Sequence, residues 1–175
     1  MKAIVLFDTV FGNTERIAIS LKSGLEDAEV TAECINIKIA TAEKMSEYDL
    51  LVLGAPTQYI TASKPMKRLL DKLKNVDLRS KYGFAFDTKL DSFMAGSAAK
   101  FIEKKMEACG IEIIRSHSSA IVIGRKKEKG TKGDDEDEVQ VGDAVLKQGM
   151  EDKFRAIGKE LGELLKSRMR KVEAS

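Results

Sequence analysis

The residues best suited to chemistry in this sequence form a short turn between an apolar run and a helical pattern. The turn consists of Thr9, Val10, Phe11, Gly12, Asn13 and Thr14. Gly12 allows the backbone to approach a ligand closely, and Asn13 is of a residue type that commonly caps helices. Because free amide groups at a helix N-terminus attract anions, this turn is suited to binding a phosphate group.

The composition of the turn limits which class of phosphate-containing ligand it could bind. The turn has no lysine, and the chain has no Gly-x-x-x-x-Gly-Lys motif, which argues against a nucleoside triphosphate. The Gly-x-Gly-x-x-Gly motif of dinucleotide-binding proteins is missing as well. A single phosphate monoester bound mainly by neutral donors fits better. The alternative is that the hydroxyls of Thr9 and Thr14 merely cap the helix.

A second loop, Gly54–Ser63, follows another apolar run and carries an aromatic side chain. Its candidate binding residues are Pro56, Thr57, Gln58 and Tyr59. Pro56 stiffens the loop, and the ring of Tyr59 could stack on a flat heterocycle. The alternative is that Tyr59 folds onto the protein surface.

A third loop, Asp87–Gly96, is long for a strand-to-helix connection, and long loops at the carboxyl edge of a parallel sheet are often functional. Its candidate binding residues are Asp87, Thr88, Lys89, Phe93 and Gly96. Phe93 could cover a ring or serve as a hydrophobic plug. Together the three loops offer a phosphate cradle, an aromatic platform and a polar rim, for which flavin mononucleotide (FMN) is the most economical ligand.

The elements that must position these loops alternate along the chain. Strands are predicted at Lys2–Phe7, Val30–Ile37, Leu50–Leu53, Tyr82–Phe86 and, as one interrupted strand, Ile111–Ile114 with Ala120–Ile123. Helices are predicted at Thr14–Ala28, Thr41–Ser46, Met66–Leu73, Ala98–Cys109 and Phe154–Leu165. Five strands alternating with five helices indicate an α/β fold with parallel strands, right-handed crossovers and helices on both faces.

Length and charge indicate one domain, 1–175, with an unusual insertion. With 43% hydrophobic residues the chain can form a core, and its formal net charge is +2. Segment 125–141 contains a basic block followed by an acidic one, which predicts a solvated loop insertion that could dock a partner or have no role. Because the basic block is short, lacks aromatic residues and is neutralised by its neighbour, nucleic-acid binding is not indicated.

Several other classes of protein are not indicated. No apolar stretch approaches the ~20 residues of a membrane span, and no signal peptide is recognisable, so a cytoplasmic location is expected. Cys34 and Cys109 are expected to be packed free thiols. His117 is expected to be an ordinary strand or surface histidine. The sequence has no Ser-His-Asp set and no Cys/His metal cluster.

At three places the chain resembles the flavodoxin family. VLFDTVFGNTERIAISL (5–21) resembles the family's signature, and DLLVLGAPT (49–57) resembles its third strand and the start of its second flavin loop. FAFDTK (84–89) and AGSAAKFIEKKMEACGIEII (95–114) resemble its fourth strand, loop and helix. The resemblance covers nearly the whole chain apart from 125–141.

The resemblance implies a three-layer, doubly wound, five-stranded parallel sheet with strand order 2-1-3-4-5. It also implies that the turn from Thr9 to Thr14 holds the FMN phosphate through amides and hydroxyls. Thr57, Gln58 and Tyr59 would then lie along the isoalloxazine ring. Asp87, Thr88 and the loop to Gly96 would border the pyrimidine end of the ring. The implied function is electron transfer with a redox partner protein, with a small-molecule electron acceptor as a further possible partner.

The sequence also departs from the family. Phe11 stands where the family favours a small or hydroxyl residue, and the second loop has no glycine between Ala55 and Ser63. Basic residues stand near the expected site and favour acidic redox partners or an anionic substrate: Lys64, Lys67, Arg68 and Lys89.

Three alternatives to an electron carrier remain open. One is an FMN-dependent reductase or a protoporphyrinogen-oxidase-like enzyme that acts on a quinone or another small substrate. Another is a flavodoxin-like domain without bound flavin, for which Phe11 is the reason. A signalling receiver is disfavoured because Gly54 stands where such a domain needs an aspartate.

Overall fold

The computed structural model describes residues 1–92, 94–124 and 144–174. In chain order its elements are β1 (Lys2–Phe7), α1 (Asn13–Asp27), β2 (Thr31–Asn36), a 3₁₀ helix (Ala42–Glu47), β3 (Leu50–Gln58), β4 (Thr61–Ala62), α2 (Lys64–Leu73), β5 (Tyr82–Leu90), α3 (Ala98–Ala108), β6 (Glu112–Ile113), β7 (Ser118–Gly124), β8 (Ala144–Leu146) and α4 (Met150–Glu173). The predicted charged loop, 125–141, and Phe93 lie outside the described residues.

The sheet has the order β2-β1-β3-β5-β7-β8. The first five of these strands are parallel, which confirms the doubly wound α/β fold and the strand order expected from the sequence. The sequence did not predict β4, which pairs antiparallel with β3, or β8, which pairs antiparallel with β7. Both strands are too short for alternation of apolar and polar residues to reveal them.

The prediction that β3 ends at Leu53 is wrong. The apolar run is interrupted there by Gly54, yet β3 continues to Gln58. A Cβ atom at Gly54 would collide with the ring of Phe86 on the neighbouring strand. Gly54 therefore serves close packing between two central strands rather than ending one of them.

The prediction that the third loop begins at Asp87 is also wrong, because β5 continues to Leu90. The paired ladder between β3 and β5 extends through Ala55 with Asp87 and through Pro56 with Thr88. The expected flavin-loop residues at this end of β5 are therefore fixed by the sheet.

The two faces of the sheet are covered by different helix pairs, and each pair encloses its own core. Successive residues of β1 alternate between these cores, as pleating requires. The core under α1 and α4 (the α1/α4 face) includes Val5, Phe7, Ile17, Leu21, Phe154 and Leu161. The core under α2 and α3 (the α2/α3 face) includes Ile4, Leu6, Met66, Leu70, Ile102 and Met106.

Helices α1 and α4 approach each other unusually closely. A Cβ atom at Gly24 would collide with the carbonyl oxygen of Arg155, and one at Gly158 would collide with the carbonyl oxygen of Leu21. Only glycine fits at these two positions, so the crossing of these helices depends on them. None of the helices in the described ranges combines the length and hydropathy needed to cross a membrane.

Candidate functional site

The candidate site lies at the carboxyl edge of the sheet, where β1 has β2 on one side and β3 on the other. The connection that follows β1 leads toward one edge of the sheet, and the connection that follows β2 leads toward the other edge. In folds of this class, such a reversal opens a crevice at the carboxyl ends of the strands. The turn between β1 and α1 and the ends of β3 and β5 surround this crevice. All three regions singled out in the sequence therefore meet at one place.

The turn before α1 leaves the helix amides open. Gly12 is the N-cap residue, in a left-handed conformation with φ of 82°, and no side chain caps the helix. The Gly12 amide donates to Oγ1 of Thr9 at 3.0 Å, and nothing lies within 4 Å of the place where a Gly12 Cβ would stand. By contrast, Ser63 and Ser97 cap α2 and α3 through their hydroxyls. The first turn of α1 thus keeps donors and space for an anion.

The expectation that Asn13 caps α1 is wrong, because Asn13 is the first residue of the helix. Its side-chain amide instead donates to the carbonyl oxygen of Ala144 on β8 at 2.8 Å. The alternative that the two threonine hydroxyls merely cap the helix also fails, since neither accepts from an amide in its first turn.

Thr14 is paired with a residue from another strand. Its hydroxyl lies 2.9 Å from the hydroxyl of Thr88 at the end of β5, and the two residues are 1% and 5% exposed. One hydroxyl must donate to the other, so one O–H proton of the pair stays available to a ligand. Both residues line the crevice beside the open turn.

The crevice contains two adjoining cavities, of about 120 and about 580 Å³. Six residues line both, which makes the cavities parts of one cleft: Val10, Phe11, Thr57, Gln58, Lys89 and Leu90. The smaller cavity is also lined by Thr9, Asn13, Thr14, Pro56, Thr88, Val122 and Ala144. The larger one is also lined by Tyr59, Ile60, Met94 and Ala95. Its volume lies within the ~300–1,000 Å³ typical of small-molecule sites.

Phe11 leaves the cleft open. Its side chain is 53% exposed and lines both cavities instead of filling either. The outer wall of the larger cavity is apolar and exposed as well, since Tyr59 is 98% and Met94 83% exposed. A planar ring bound here would find apolar surface on its flanks.

The hairpin between β3 and β4 has a backbone that its residues disfavour. Tyr59 and Ile60 have φ of 46° and 64°, between the paired residues Gln58 and Thr61. Two left-handed central residues are the pattern of a type I′ turn, which normally uses Asn-Gly. A β-branched residue such as Ile60 is a clear outlier in this conformation, so strain is held at the rim of the cleft.

Gly96 holds this strained turn from the other side of the cleft. It has φ of 67°, and a Cβ atom there would lie 2.6 Å from the carbonyl oxygen of Ile60. Its own carbonyl accepts a hydrogen bond of 3.1 Å from Nζ of Lys89. Gly96 therefore contacts the rim and does not line either cavity.

Asp87 is a buried hub rather than a lining residue. It is 0% exposed, and its Oδ2 accepts from the hydroxyls of Thr57 and Ser97 and from the amide of Ala99, at 2.9 to 3.0 Å. The Thr57 hydroxyl in turn accepts from the amide of Ala98 at 2.9 Å. Oδ1 has no partner within the described structure. Asp87 thus ties the ends of β3 and β5 to the start of α3.

Sequence reasoning missed six lining residues: Ile60, Leu90, Met94, Ala95, Val122 and Ala144. The first four lie inside the two loops that the sequence singled out, and their apolar character was the available signal. Val122 and Ala144 had no signal, because their place beside the turn depends on the pairing of β7 with β8.

Other reactive side chains lie away from the cleft. His117 Nδ1 lies 2.9 Å from a carboxylate oxygen of Glu103, at the start of β7. Cys34 and Cys109 are free, and burial raises the pKa of the Cys34 thiol to about 11, which makes it a poor nucleophile. Within the described ranges no group of three or more acidic, histidine or cysteine side chains could hold a metal ion.

Comparison with known proteins decides the family. The family model described as flavodoxin matches residues 5–156. The chain belongs to the flavodoxin family. A flavodoxin of Clostridium saccharobutylicum is 29% identical over 98 residues, covering 55% of this chain and 61% of that protein, so the chain spans less than two thirds of that relative.

Two further comparisons place a curated relative and a solved structure beside this flavodoxin-family chain. An NAD(P)H dehydrogenase (quinone) of Sinorhizobium fredii is 24% identical over 143 residues, covering 70% of each protein. A solved flavodoxin structure from the domain Archaea superposes with a TM-score of 0.73 at 21% identity, covering 95% of this chain and 99% of that chain. At this identity the structural likeness shows the fold alone.

FMN is the cofactor of the flavodoxin family, which confirms the expectation from the sequence. The cleft fits this molecule on its own geometry. The uncapped amides of α1 and the open space at Gly12 suit a phosphate, and the larger cavity has the apolar walls that a planar ring requires.

Proposed function

We propose that this protein is an electron carrier that binds FMN in the cleft and exchanges electrons with partner proteins. The observation that carries the proposal is the open, uncapped turn at Gly12 beside an apolar cleft whose rim is exposed. When bound, FMN would supply the redox chemistry, and the protein would supply binding, orientation and electrostatics.

The smaller cavity would receive the phosphate. Asn13 and Thr14 of the uncapped first turn of α1 line it, and Thr9 and the Thr14–Thr88 pair line it with hydroxyls that can act as donors. These donors are neutral, so a phosphate would be held mainly by hydrogen bonds and by the helix dipole.

The larger cavity would receive the ring. Phe11 and Tyr59 provide aromatic surface at its walls, and Gln58 and Lys89 provide polar groups that could contact the rim of the ring. The Asp87 hub would keep the ends of β3 and β5 in place around it.

The chemistry of the lining favours a carrier over an enzyme. Among the described residues that line the cleft, none is a carboxylate, a histidine or a cysteine, and Lys89 and Tyr59 are the only titratable ones. Reactions on organic substrates usually require a positioned general acid or base. Transfer of electrons through an exposed ring edge requires none.

A second candidate is an FMN-dependent reductase that acts on a quinone. The open apolar cavity of about 580 Å³ and the likeness to a quinone-reducing relative favour it. Phe11 leaves the cleft open, so a domain without flavin is less well supported.

Anaerobic mixing of the FMN-loaded, chemically reduced protein with cytochrome c distinguishes the two functions. At high salt, which screens repulsion between like charges, a carrier should reduce the cytochrome rapidly. It should show no steady oxidation of NADPH with a quinone when it is the only protein present. Steady NADPH turnover with a quinone, without any added reductase, would contradict the carrier function and support the reductase.

A further inference from the structure

The four long helices differ in the charges of their first turns. Helix α1 carries Glu15 there, and α4 carries Glu151 and Asp152, as the helix dipole favours. The first turns of α2 and α3 contain no acidic residue. They contain lysines instead, including Lys64 and Lys100, although positive charge at a helix N-terminus is unfavourable.

The cations on α2 and α3 take part in none of the described ion pairs. We define the basic face as Lys64, Lys67, Arg68, Lys100, Lys104 and Lys105. Among the described ion pairs none involves a residue of this face. Of the three acidic residues on the same helices, Asp71, Glu103 and Glu107, two are already engaged, since Asp71 pairs with Lys74 and Glu103 binds His117.

The α1/α4 face shows the opposite pattern. There, Arg16 pairs with Glu151 at 2.6 Å and Arg155 with Asp27 at 2.7 Å, each pair joining the two helices. Arg16 and Arg155 therefore serve the fold by joining these helices. No described ion pair ties a cation of the basic face to another element of the fold, which points to a role in binding.

The ring of Phe101 is contacted by lysine side chains from both helices of the basic face. The Nζ atoms of Lys67 and Lys105 lie 5.4 and 5.5 Å from the centre of its ring. These two ammonium groups come from different helices and contact the same ring, which brings positive charge from α2 and α3 together. Because the lysines occupy the ring, Phe101 is not free to stack on a nucleic-acid base.

The basic face adjoins the cleft. Helix α2 follows the strained turn at Tyr59 and Ile60 after only the short strand β4 and its N-cap residue, and α3 follows Gly96, which contacts that turn, after only its N-cap residue. The rim that it borders is apolar and exposed, with Tyr59 at 98%, Ile60 at 69% and Met94 at 83% exposure. An apolar centre beside polar, charged surroundings is the usual anatomy of a protein interface.

We propose that the basic face docks an acidic surface of a partner protein and places that partner over the apolar rim of the cleft. This inference extends the proposed function, since the partner would be the protein that exchanges electrons. The docking itself is electrostatic and does not depend on bound FMN, so the two can be tested separately. Charge complementarity of this kind acts mainly on encounter rate and specificity.

The test compares two charge-reversal variants that change the net charge equally. Lys64→Glu/Lys100→Glu alters the basic face, and Lys153→Glu/Lys159→Glu alters exposed lysines of α4. Binding of fluorescent poly-L-glutamate to each protein is measured without FMN, at low and at high salt. The basic-face variant should bind about tenfold more weakly than the unmodified protein at low salt, and the α4 variant should bind nearly normally. High salt should remove the difference.

Three outcomes would overturn the proposal. Equal weakening in both variants would mean that net charge alone matters. Tighter binding of duplex DNA than of poly-L-glutamate would indicate a nucleic-acid surface. Absence of poly-L-glutamate binding at low salt would remove the basis of the proposal. Circular dichroism and a Lys64→Gln/Lys100→Gln variant, which should show an intermediate loss, guard against misfolding.

A second measurement uses the FMN-loaded protein. Its electron exchange with an acidic redox protein should slow as salt is added, whereas exchange with the basic protein cytochrome c should quicken. The reverse pattern would contradict the docking proposal even if electron transfer occurs. Failure to bind FMN while poly-L-glutamate binding persists would contradict the proposed function alone.

Discussion

The two faces of the sheet differ in the interactions that their helices and loops make. On the α1/α4 face, glycines allow close helix packing, ion pairs join the helices, and acidic residues stand at the helix N-termini. On the α2/α3 face, the cations of the basic face form no described ion pair, a strained turn lies just before α2, and a buried carboxylate holds the loops. The comparison teaches that interhelical ion pairs and close glycine packing are concentrated on one face, and that features costly to stability are concentrated beside the cleft on the other.

The largest effect is expected at Asp87, a buried polar anchor of the α2/α3 face. Asp87→Ala would leave the hydroxyls of Thr57 and Ser97 and the amide of Ala99 without their acceptor. We expect the free energy of unfolding to fall by about 3 kcal/mol or more and FMN binding to weaken, measured by urea denaturation and by titration. Asp87→Asn keeps one oxygen acceptor and should lose clearly less. Equal losses in both variants would mean that the hub does not act through this oxygen.

The next effect concerns the packing of the α1/α4 face. Gly158→Ala places a methyl group against the carbonyl of Leu21, so the helices must move apart. We expect a loss of about 2 kcal/mol in the free energy of unfolding, although alanine itself favours helices. FMN affinity should stay nearly unchanged, because the cleft lies outside this contact. Lys159→Ala, at an exposed position of the same helix, should change stability by less than about 0.5 kcal/mol. If the Gly158→Ala variant were as stable as the unmodified protein, close helix packing would not distinguish the α1/α4 face from the α2/α3 face.

A third change should act in the opposite direction. Replacing Tyr59-Ile60 by Asn-Gly supplies the residues that a type I′ turn prefers and should raise the free energy of unfolding by about 1–2 kcal/mol. The same replacement removes two apolar side chains from the rim of the cleft and should weaken FMN binding. Thermal denaturation without FMN and FMN titration measure the two effects. Unchanged stability would show that the turn is not strained, and Ile60→Gly alone would show which residue carries the strain.

The smallest effect concerns an exposed ion pair of the α1/α4 face. The Arg155 guanidinium beside Asp27 holds the pKa of that carboxyl below its ordinary value. A carboxyl group whose pKa is lower in the folded state contributes stability above its unfolded pKa, about 3.9. That contribution disappears as the pH falls through the lower folded pKa.

Asp27→Asn should therefore reduce stability slightly near neutral pH and not at a pH well below both pKa values. Asp71→Asn is the matched change within α2, where Lys74 likewise lowers the pKa of the carboxyl. Urea denaturation at several pH values compares them. A loss that is independent of pH would contradict the ion-pair explanation.

The sequence predicted the fold and most of the cleft because both depend on local patterns. Alternating apolar runs and helices determine a doubly wound sheet, and the turn at Gly12 is contained within one short stretch. The pairing of Thr14 with Thr88 joins residues 74 positions apart and leaves no local pattern. The burial of Asp87 was hidden for the same reason, since its partners come from the end of β3 and the start of α3.

The predicted strand boundaries were wrong where packing between strands, rather than the local sequence, determined where a strand ends. Gly54 is a common sign of a strand end, but here it accommodates the ring of Phe86 and β3 continues. The strain at Tyr59 and Ile60 was hidden because these residue types rarely adopt such a backbone. The sequence showed that this loop lacks a glycine, but only the structure showed that the backbone is strained as a result.

The most direct test of the central claim is a comparison of FMN with riboflavin, which has the same ring but no phosphate. Fluorescence quenching during titration of the flavin-free protein gives both dissociation constants. If the open turn at Gly12 holds the phosphate, FMN should bind with a Kd of about 1 μM or below, and riboflavin should bind at least about a hundredfold more weakly. Equal affinity for the two flavins, or no binding of FMN, would contradict the account.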